Sequence, residues 1–510
     1  MTATVRLEPG RAFDAGRRID ELVRDRAASR LFSRDATLWG AEAEAESSRR
    51  LGWVDPLPLA DALVPELDRL RERLNSLGQD RVVLCGMGGS SLGPEVIARR
   101  DDAPLVLLDS THPDDVRAAL RELDRTVVVV SSKSGSTVET RSQLAAFESA
   151  FAAAGIDAGG RVIVVTDPDS ALHEHALQNG YRVFLADPTV GGRYSALTPF
   201  GLVPSVLAGA DGAELLDEAR AVLPALRADT PENPAIALAG ALASRLPQRY
   251  AALTFEDPAK SIGLAAWIEQ LVAESTGKQG LGLLPIEVPA DAPELTDGLP
   301  SSAFAVDLSD GRAGTIAADE TIRVLAPLGA QFVLWETATA LLGRLVGVNP
   351  FDQPDVESAK AAARALLADA GSDGRATPSL TPEEVAAELR ARVEEHGYVA
   401  IQAYVSRAAG APLARLRARL SETLRVPVAL GFGPRYLHST GQFHKGGPAL
   451  GVFLQIVDAS ATELAIPGSD AGFGALIAAQ ARGDRAVLEG NGRPVLVLDR
   501  NDAEALLAAW

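Results

Sequence analysis

This sequence predicts an α/β fold built on doubly wound parallel sheets, and three observations carry that expectation. Short, wholly apolar runs recur from Arg81 onward: VVLC at 82–85, LVLL at 105–108, VVVV at 127–130, VIVV at 162–165 and VF at 183–184. Helical segments or turns separate these runs. The chain has 510 residues, more than a single core usually supports, so two or three domains are expected. Strands that are apolar on both faces belong in a sheet covered on both sides, with right-handed crossovers between neighbours.

Taken in order, residues 12–50 read as helical, and a Pro-containing stretch, VDPLPLADALVPELDRL, leads into a further helix. Residues 1–75 are therefore expected to be an N-terminal helical segment and 76–232 the first sheet domain. A second α/β stretch, 233–370, carries the candidate strands AALTF (251–255), LGLLPIEV (281–288), FAVDL (304–308) and IRVLAP (322–327), with helices at 258–273 and 331–346. Its likeness in texture to the first suggests a duplicated unit, although no clear sequence echo is seen. The polar segment DAGSDGRATPSLTP at 369–382 reads as a linker. Beyond it, 371–510 forms a smaller C-terminal α/β region, with helices at 382–396 and 411–424 and strands in YVAIQAYV, VPVAL, VFLQIV and VLVLD.

Composition narrows the function classes. Forty-nine Lys and Arg against 68 Asp and Glu give a net charge of -19, so no basic field attracts nucleic acid or an anionic membrane. The single cysteine, Cys85, permits neither an intrachain disulfide nor a Cys-rich zinc site. No metal or cofactor is expected. His173-x-His175 is a weak pair that reads as a helix surface. The first residues carry charges throughout and lack an apolar signal core, and no charge-free stretch suits a membrane span. Tyr194–Ala210, the most apolar stretch, is interrupted by Pro199, Gly201 and Pro204 and reads as a buried helix or turn. A cytoplasmic protein is the expectation.

Two loops at strand ends carry the functional signal. In VVLCGMGGSSLGPEVIA a buried strand runs into Gly86, Gly88 and Gly89, then Ser90 and Ser91, then a helix. Glycines let backbone N–H groups approach a ligand, and the helix N-terminus favours a phosphate oxygen. A dinucleotide fingerprint and a ligand-free turn fit this loop as well, although Ser91 stands where the third glycine of that fingerprint belongs. In VVVVSSKSGSTVETRSQLAAF, Ser132, Ser134, Ser136 and Thr137 offer four hydroxyls at a helix start, with Lys133 adding charge. That suits a phosphate monoester, and a solvated N-cap is the alternative. Two such loops after neighbouring parallel strands point to a small phosphorylated metabolite, bound where open α/β sheets hold ligands.

GGSSLGP and SKSGSTVET resemble the loops of sugar isomerase domains, in the form found in the phosphoglucose isomerase family, over roughly residues 80–360. The resemblance implies two sugar isomerase (SIS-type) doubly wound domains plus the smaller C-terminal region, an aldose–ketose isomerase activity on glucose 6-phosphate and fructose 6-phosphate, and a homodimer. It implies that Ser132, Lys133, Ser134, Ser136 and Thr137 hold the substrate phosphate, and that Gly89 and Ser90 contact substrate from the first loop. Two neighbouring readings stand beside this one: a dual glucose/mannose phosphate isomerase and a non-catalytic sugar-phosphate sensor. The sensor would need the hydroxyl loops but not an acid–base set.

Aldose–ketose isomerisation needs a carboxylate over C1 and C2, a cation for the enediolate and a pair that opens the ring. WIEQLVAESTGKQG places Gln270 and Glu274 on one helix face, with Glu274 near a helix C-terminus that disfavours negative charge. By spacing alone it reads as a surface Glu before a Gly cap. ESTGK resembles the family's ESNGK, whose glutamate shuttles the proton, with Thr276 in place of Asn. The resemblance thus makes Glu274 the base and Gln270 its hydrogen-bonding neighbour. VGGRYSALTPFGL resembles the family's GGRYS segment, which assigns Arg193 to the enediolate, where a structural ion pair is the alternative. GVNPFDQPDVESAK resembles the FDQ…K segment, implying ring opening by Lys360 and substrate contact by Gln353.

The family also uses a histidine, usually between the Glu and Lys motifs, and here 278–360 contains none. TGQFHKGG, in the C-terminal region, resembles the segment around that histidine, so His444 is the first candidate and His438 the second, from the same chain or a partner. The same string, and RDATLW near the start, resemble the isomerase half of fused transaldolase–phosphoglucose isomerase proteins. Only about 80 residues precede the first strand, too few for a transaldolase half, so no transaldolase activity is expected.

Overall fold

The computed structural model describes residues 4–7, 14–257, 261–309, 321–354 and 380–510. The chain opens with strand β1 (Thr4–Leu7), then runs through helices Ala15–Arg24, Ala27–Phe32, Ala41–Ser47 and Leu57–Ser76. The first sheet follows: β2 (Arg81–Gly86), helix α1 (Gly89–Arg100), β3 (Leu105–Leu108), β4 (Thr126–Ser131), helix α2 (Val138–Ala153), β5 (Val162–Thr166) and β6 (Arg182–Leu185). Its strands lie in the order β3-β2-β4-β5-β6, all parallel. Alternate residues of one strand feed two different cores: Val82 and Leu84 pack on one face, Val83 and Cys85 on the other. This explains the unbroken apolar runs, since neither face meets water.

The second sheet holds β7 (Ala251–Phe255), β8 (Leu284–Glu287), β9 (Ala303–Asp307) and β10 (Thr321–Leu325) in the order β8-β7-β9-β10, with β1 added antiparallel at the β10 edge. The sequence reading placed no strand before Arg81. Four residues spaced far from their partner strand carry no periodicity to reveal them. Helix α3 (Leu264–Thr276) follows β7 and α4 (Leu328–Val346) follows β10, both buried along most of their length. Between the two sheets, α4 packs on helices Gly212–Leu226 and Pro234–Arg245, and Trp39 Nε1 donates to the Ala340 carbonyl at 2.8 Å. The apolar stretch that ends at Ala210 contains a buried helix, Pro199–Ala208.

The third sheet is also fully parallel: β11 (Tyr398–Tyr404), β12 (Val428–Phe432), β13 (Gly451–Val457) and β14 (Val495–Asp499), in the order β12-β11-β13-β14. Helix α5 (Phe473–Gly490) lies between the last two strands in the chain. All three sheets thus share one winding: the second strand beside the first, the third on the first's other side, the fourth beyond it. Such an order creates a crevice between the first and third strands at their carboxyl ends. In the first sheet the two hydroxyl-rich loops, after β2 and β4, flank that crevice. In the third sheet the loops on either side of it bond residues 110–115 of the neighbouring layer, a turn and the start of helix Pro113–Ala119. There Ser406 Oγ donates to Asp115 at 2.6 Å and His112 Nε2 meets Asp458 at 3.2 Å. Among the described residues no helix is long and apolar enough to cross a membrane.

Candidate active site

The site begins where β2 ends. Gly88 has φ 57° and ψ -124°, a backbone that side chains resist. A Cβ there would stand 2.8 Å from Gln270 Nε2 and 2.9 Å from the His438 carbonyl. A Cβ on Gly89 would lie 1.9 Å from the Gly192 carbonyl. The two glycines therefore let three remote segments converge on the first loop: the Arg193 turn, helix α3 and the C-terminal turn Arg435–His438. Ser90 is buried at the start of α1, while Ser91 is occupied structurally, its hydroxyl donating to the Gly88 carbonyl at 3.0 Å.

The second loop gathers its hydroxyls as expected. Ser132 Oγ donates to Thr137 Oγ1 at 3.1 Å, and Ser134 and Ser136 share a hydrogen bond of 2.9 Å. Ser134 and Ser136 are at least partly exposed, and Thr137 caps the 16-residue helix α2, whose N-terminal amides favour an anion. Gly135 (φ 65°) packs so tightly under Leu172 that a Cβ would meet its amide nitrogen at 2.6 Å. Lys133 departs from the sequence reading, in which its charge serves the loop. Its ammonium donates to Asp167 at 2.6 Å and to the Pro188 carbonyl at 3.1 Å. That pairing directs it toward the β5 loop.

Glu274, in the last turn of α3, is 5% exposed and faces Arg193, itself 5% exposed, with Nη1 3.7 Å from the carboxylate. Gln270 Nε2 donates to Glu274 at 3.3 Å and to the His438 carbonyl at 2.7 Å. Arg193 is fixed on all sides. Nε donates to Ser275 Oγ at 2.9 Å, Nη1 to Gln353 Oε1 at 3.2 Å, and Nη2 to the carbonyls of Pro350 (2.6 Å) and Asp352 (3.0 Å). Next to it, Tyr194 stacks on Trp53. Gln353, for which the resemblance implies a substrate contact, thus bonds Arg193. Lys360 lies outside the described residues.

The two candidate histidines separate clearly. His444 sits in an aromatic nest of Tyr398, Tyr436, Phe443 and Phe453, its Nδ1 3.2 Å from the Tyr398 hydroxyl. Burial, with Lys445 and Arg493 nearby, holds its pKa down at about 3, which favours the neutral imidazole. His438 instead touches the first loop and Gln270, and its Nε2 lies 3.2 Å from Glu139. Glu139 stands two residues past Thr137 in the first turn of α2 and is buried. It also accepts from Gln480 of α5 at 2.7 Å.

Sequence reasoning missed Glu139, Gln480 and Lys278. A carboxylate inside SKSGSTVET, beside four phosphate-type hydroxyls, was the available clue for Glu139. Lys278 closes ESTGK and is buried, its ammonium bonded to Asp352 and the Asn349 carbonyl. Gln480 has no local signal. Among the described residues no group of three His, Cys, Asp or Glu side chains could hold a metal ion.

Doubly wound parallel sheets, a hydroxyl-lined helix start at the first crevice and a buried carboxylate–arginine pair beside it define a protein of the sugar isomerase class. A family model described as phosphoglucose isomerase matches residues 77–281. The chain is 31% identical over 386 residues to glucose-6-phosphate isomerase of Thermus thermophilus, covering 63% of this chain and 91% of that one. It is 30% identical over 359 residues to the enzyme of that name from Rubrobacter xylanophilus, covering 57% and 83%. Among solved structures, a hypothetical protein of Thermus thermophilus superposes with a TM-score of 0.59 at 27% identity, over 69% of this chain and 96% of that one. A glucose-6-phosphate isomerase from Chlamydia trachomatis shares the fold, with a TM-score of 0.52 at 20% identity over 68% and 78%. This chain belongs to the phosphoglucose isomerase family.

Proposed function

We propose that this chain interconverts glucose 6-phosphate and fructose 6-phosphate through a cis-enediolate. The observation that carries the proposal is the buried Glu274–Arg193 pair, 3.7 Å apart and flanked by the first loop. The sugar phosphate is held by Ser132, Ser134, Ser136, Thr137 and the α2 amides, with Gly89, Ser90, Gln270 and Gln353 around the sugar. Ring opening breaks C1–O5. His438, its Nε2 turned to Glu139, gives a proton to O5 through its other ring nitrogen, and Lys360 takes the proton of the C1 hydroxyl. Glu274 then removes the C2 proton as the C1 carbonyl becomes an enediolate oxygen, which Arg193 stabilises. The hydroxyl proton passes from O2 to the enediolate oxygen O1, and as O2 becomes the ketone oxygen the protonated Glu274 returns the carbon-bound proton to C1. Hydrogen moves between carbons with no net redox change, and the scheme calls for no cofactor. A homodimer and a cytoplasmic location belong to the same proposal by family resemblance.

A Glu274→Gln variant tests the assignment. It should bind fructose 6-phosphate with nearly unchanged affinity while turnover drops by roughly 10²–10⁴-fold, the usual share of a positioned base. Unchanged turnover would remove Glu274 from the mechanism. Mannose 6-phosphate in the parallel assay decides between a dedicated and a dual-specificity enzyme.

A further inference from the structure

Glu139 is held from two directions, by one part-buried and one buried side chain. One is His438, the proposed ring-opening acid. The other is Gln480 of α5, 3% exposed, whose Nε2 donates to the same carboxylate oxygen, Oε1, at 2.7 Å. The amide of Gln480 is itself oriented, because Thr111 Oγ1, fully buried in the turn after β3, donates to its Oε1 at 2.7 Å. A chain of hydrogen bonds therefore runs Thr111→Gln480→Glu139, ending at the His438 ring. One turn further along α5, Asp484 accepts from the Tyr436 hydroxyl at 2.6 Å and pairs with Lys445. Tyr436 lies in the same short turn, Arg435–His438, that carries the histidine. Helix α5 thus grips that turn through Asp484 and the histidine's carboxylate partner through Gln480.

We infer that Gln480 is a positioning residue for ring opening, fixing the Glu139 carboxylate so that the His438 ring presents its free nitrogen to the sugar ring oxygen, with Thr111 setting the Gln480 amide. The inference rests on the isomerase reading of the site. A carboxylate that orients a histidine needs its own lone pairs directed, and buried hydrogen-bond partners of this kind act through the group they hold. A neutral amide does this without adding a second negative charge beside Glu139, which a Glu at 480 would do. Gln480 and His438 belong to the C-terminal region, outside residues 77–281, the span of the family match, whereas Thr111 and Glu139 lie within it.

The test compares two substrates in the ketose-to-aldose direction: fructose 6-phosphate, which must be opened, and 5-deoxyfructose 6-phosphate, which lacks the ring-closing hydroxyl and is always open. Gln480→Leu should lower kcat on fructose 6-phosphate by about 10-fold or more, the scale on which orienting partners act. Turnover of the open analogue should stay within about twofold, because the Glu274 step does not use this relay. Thr111→Val, a near-isosteric change, should produce the same selectivity at a smaller size and serves if Gln480→Leu folds poorly. His438→Ala should show the largest split of the three. Equal losses on both substrates, or no loss in either variant of an active wild-type enzyme, would overturn the relay alone. A wild-type protein that turns over neither ketose would overturn the isomerase reading and the relay together.

Discussion

Lys278 illustrates how one side chain can matter without reaching substrate. Its buried ammonium ties the end of α3 to the 349–352 turn, the same turn whose carbonyls hold Arg193. Burial pushes its pKa down to about 8, and the Arg193 guanidinium adds to the push. The folded value lies below the ordinary 10.5, so between about pH 8 and 10.5 the unfolded chain binds more protons than the folded one. Titration of this group therefore raises stability with pH across that window, while weakening the ammonium–carboxylate link to Asp352. Activity should fall as pH rises through about 8 without a matching fall in melting temperature. Lys278→Met should flatten that basic limb and lower kcat at neutral pH. A kcat profile identical to wild type across the neutral-to-basic range would show that the link does not position Arg193.

At the scale of elements, the loops are as consequential as the strands. Gly89 allows α1 to start against the Gly192 carbonyl, and no side chain fits there. Gly89→Ala should displace the Arg193 turn from the first loop and cut kcat by about 10²-fold, the cost of a misplacement near 1 Å. Circular dichroism should remain that of the wild type, and undiminished kcat would contradict the packing described. These elements were legible in the sequence because their signals are local. Val-rich runs gave the strands, clustered Gly and Ser the crevice loops, and the Glu–Arg–Gln motifs three groups that do converge. What was illegible depends on contacts distant along the chain. Which of His438 and His444 an aromatic core encloses is set by tertiary packing, and Lys133 pairs with an aspartate 34 positions away. Strand β1 and Gln480 are likewise defined by partners more than 300 residues removed.

For the whole molecule, the question is what keeps the third layer in place. Asp109, at the end of β3, receives guanidinium groups from both Arg407 and Arg435, and Arg435 also bonds Glu95 of α1 at 2.6 Å. Burial pushes the Asp109 carboxyl up, but the two arginines outweigh it and hold it below the ordinary aspartate value. A lowered folded value means stability present above the unfolded pKa and lost as pH falls through the folded one. Asp109→Asn should destabilise the protein by about 3–5 kcal/mol, the range for breaking one partner of a buried ion pair. Activity measured well below the melting temperature should also drop, because His438 and Gln480 both ride on the layer this residue anchors. A destabilised variant with full kcat would mean that the anchoring is structural only.

The bridged crevice of the third sheet has a consequence of its own. Sheets of this winding ordinarily present that cleft to a small molecule, yet here its loops clasp residues 110–115 of the neighbouring layer, the turn that leads into helix Pro113–Ala119 and that helix's start. A place for a metabolite has in effect become a coupling between layers, and the proposed role of His438 would depend on it. Lengthening the clasped turn by a single residue would then silence the enzyme while leaving every atom that meets the sugar chemically intact.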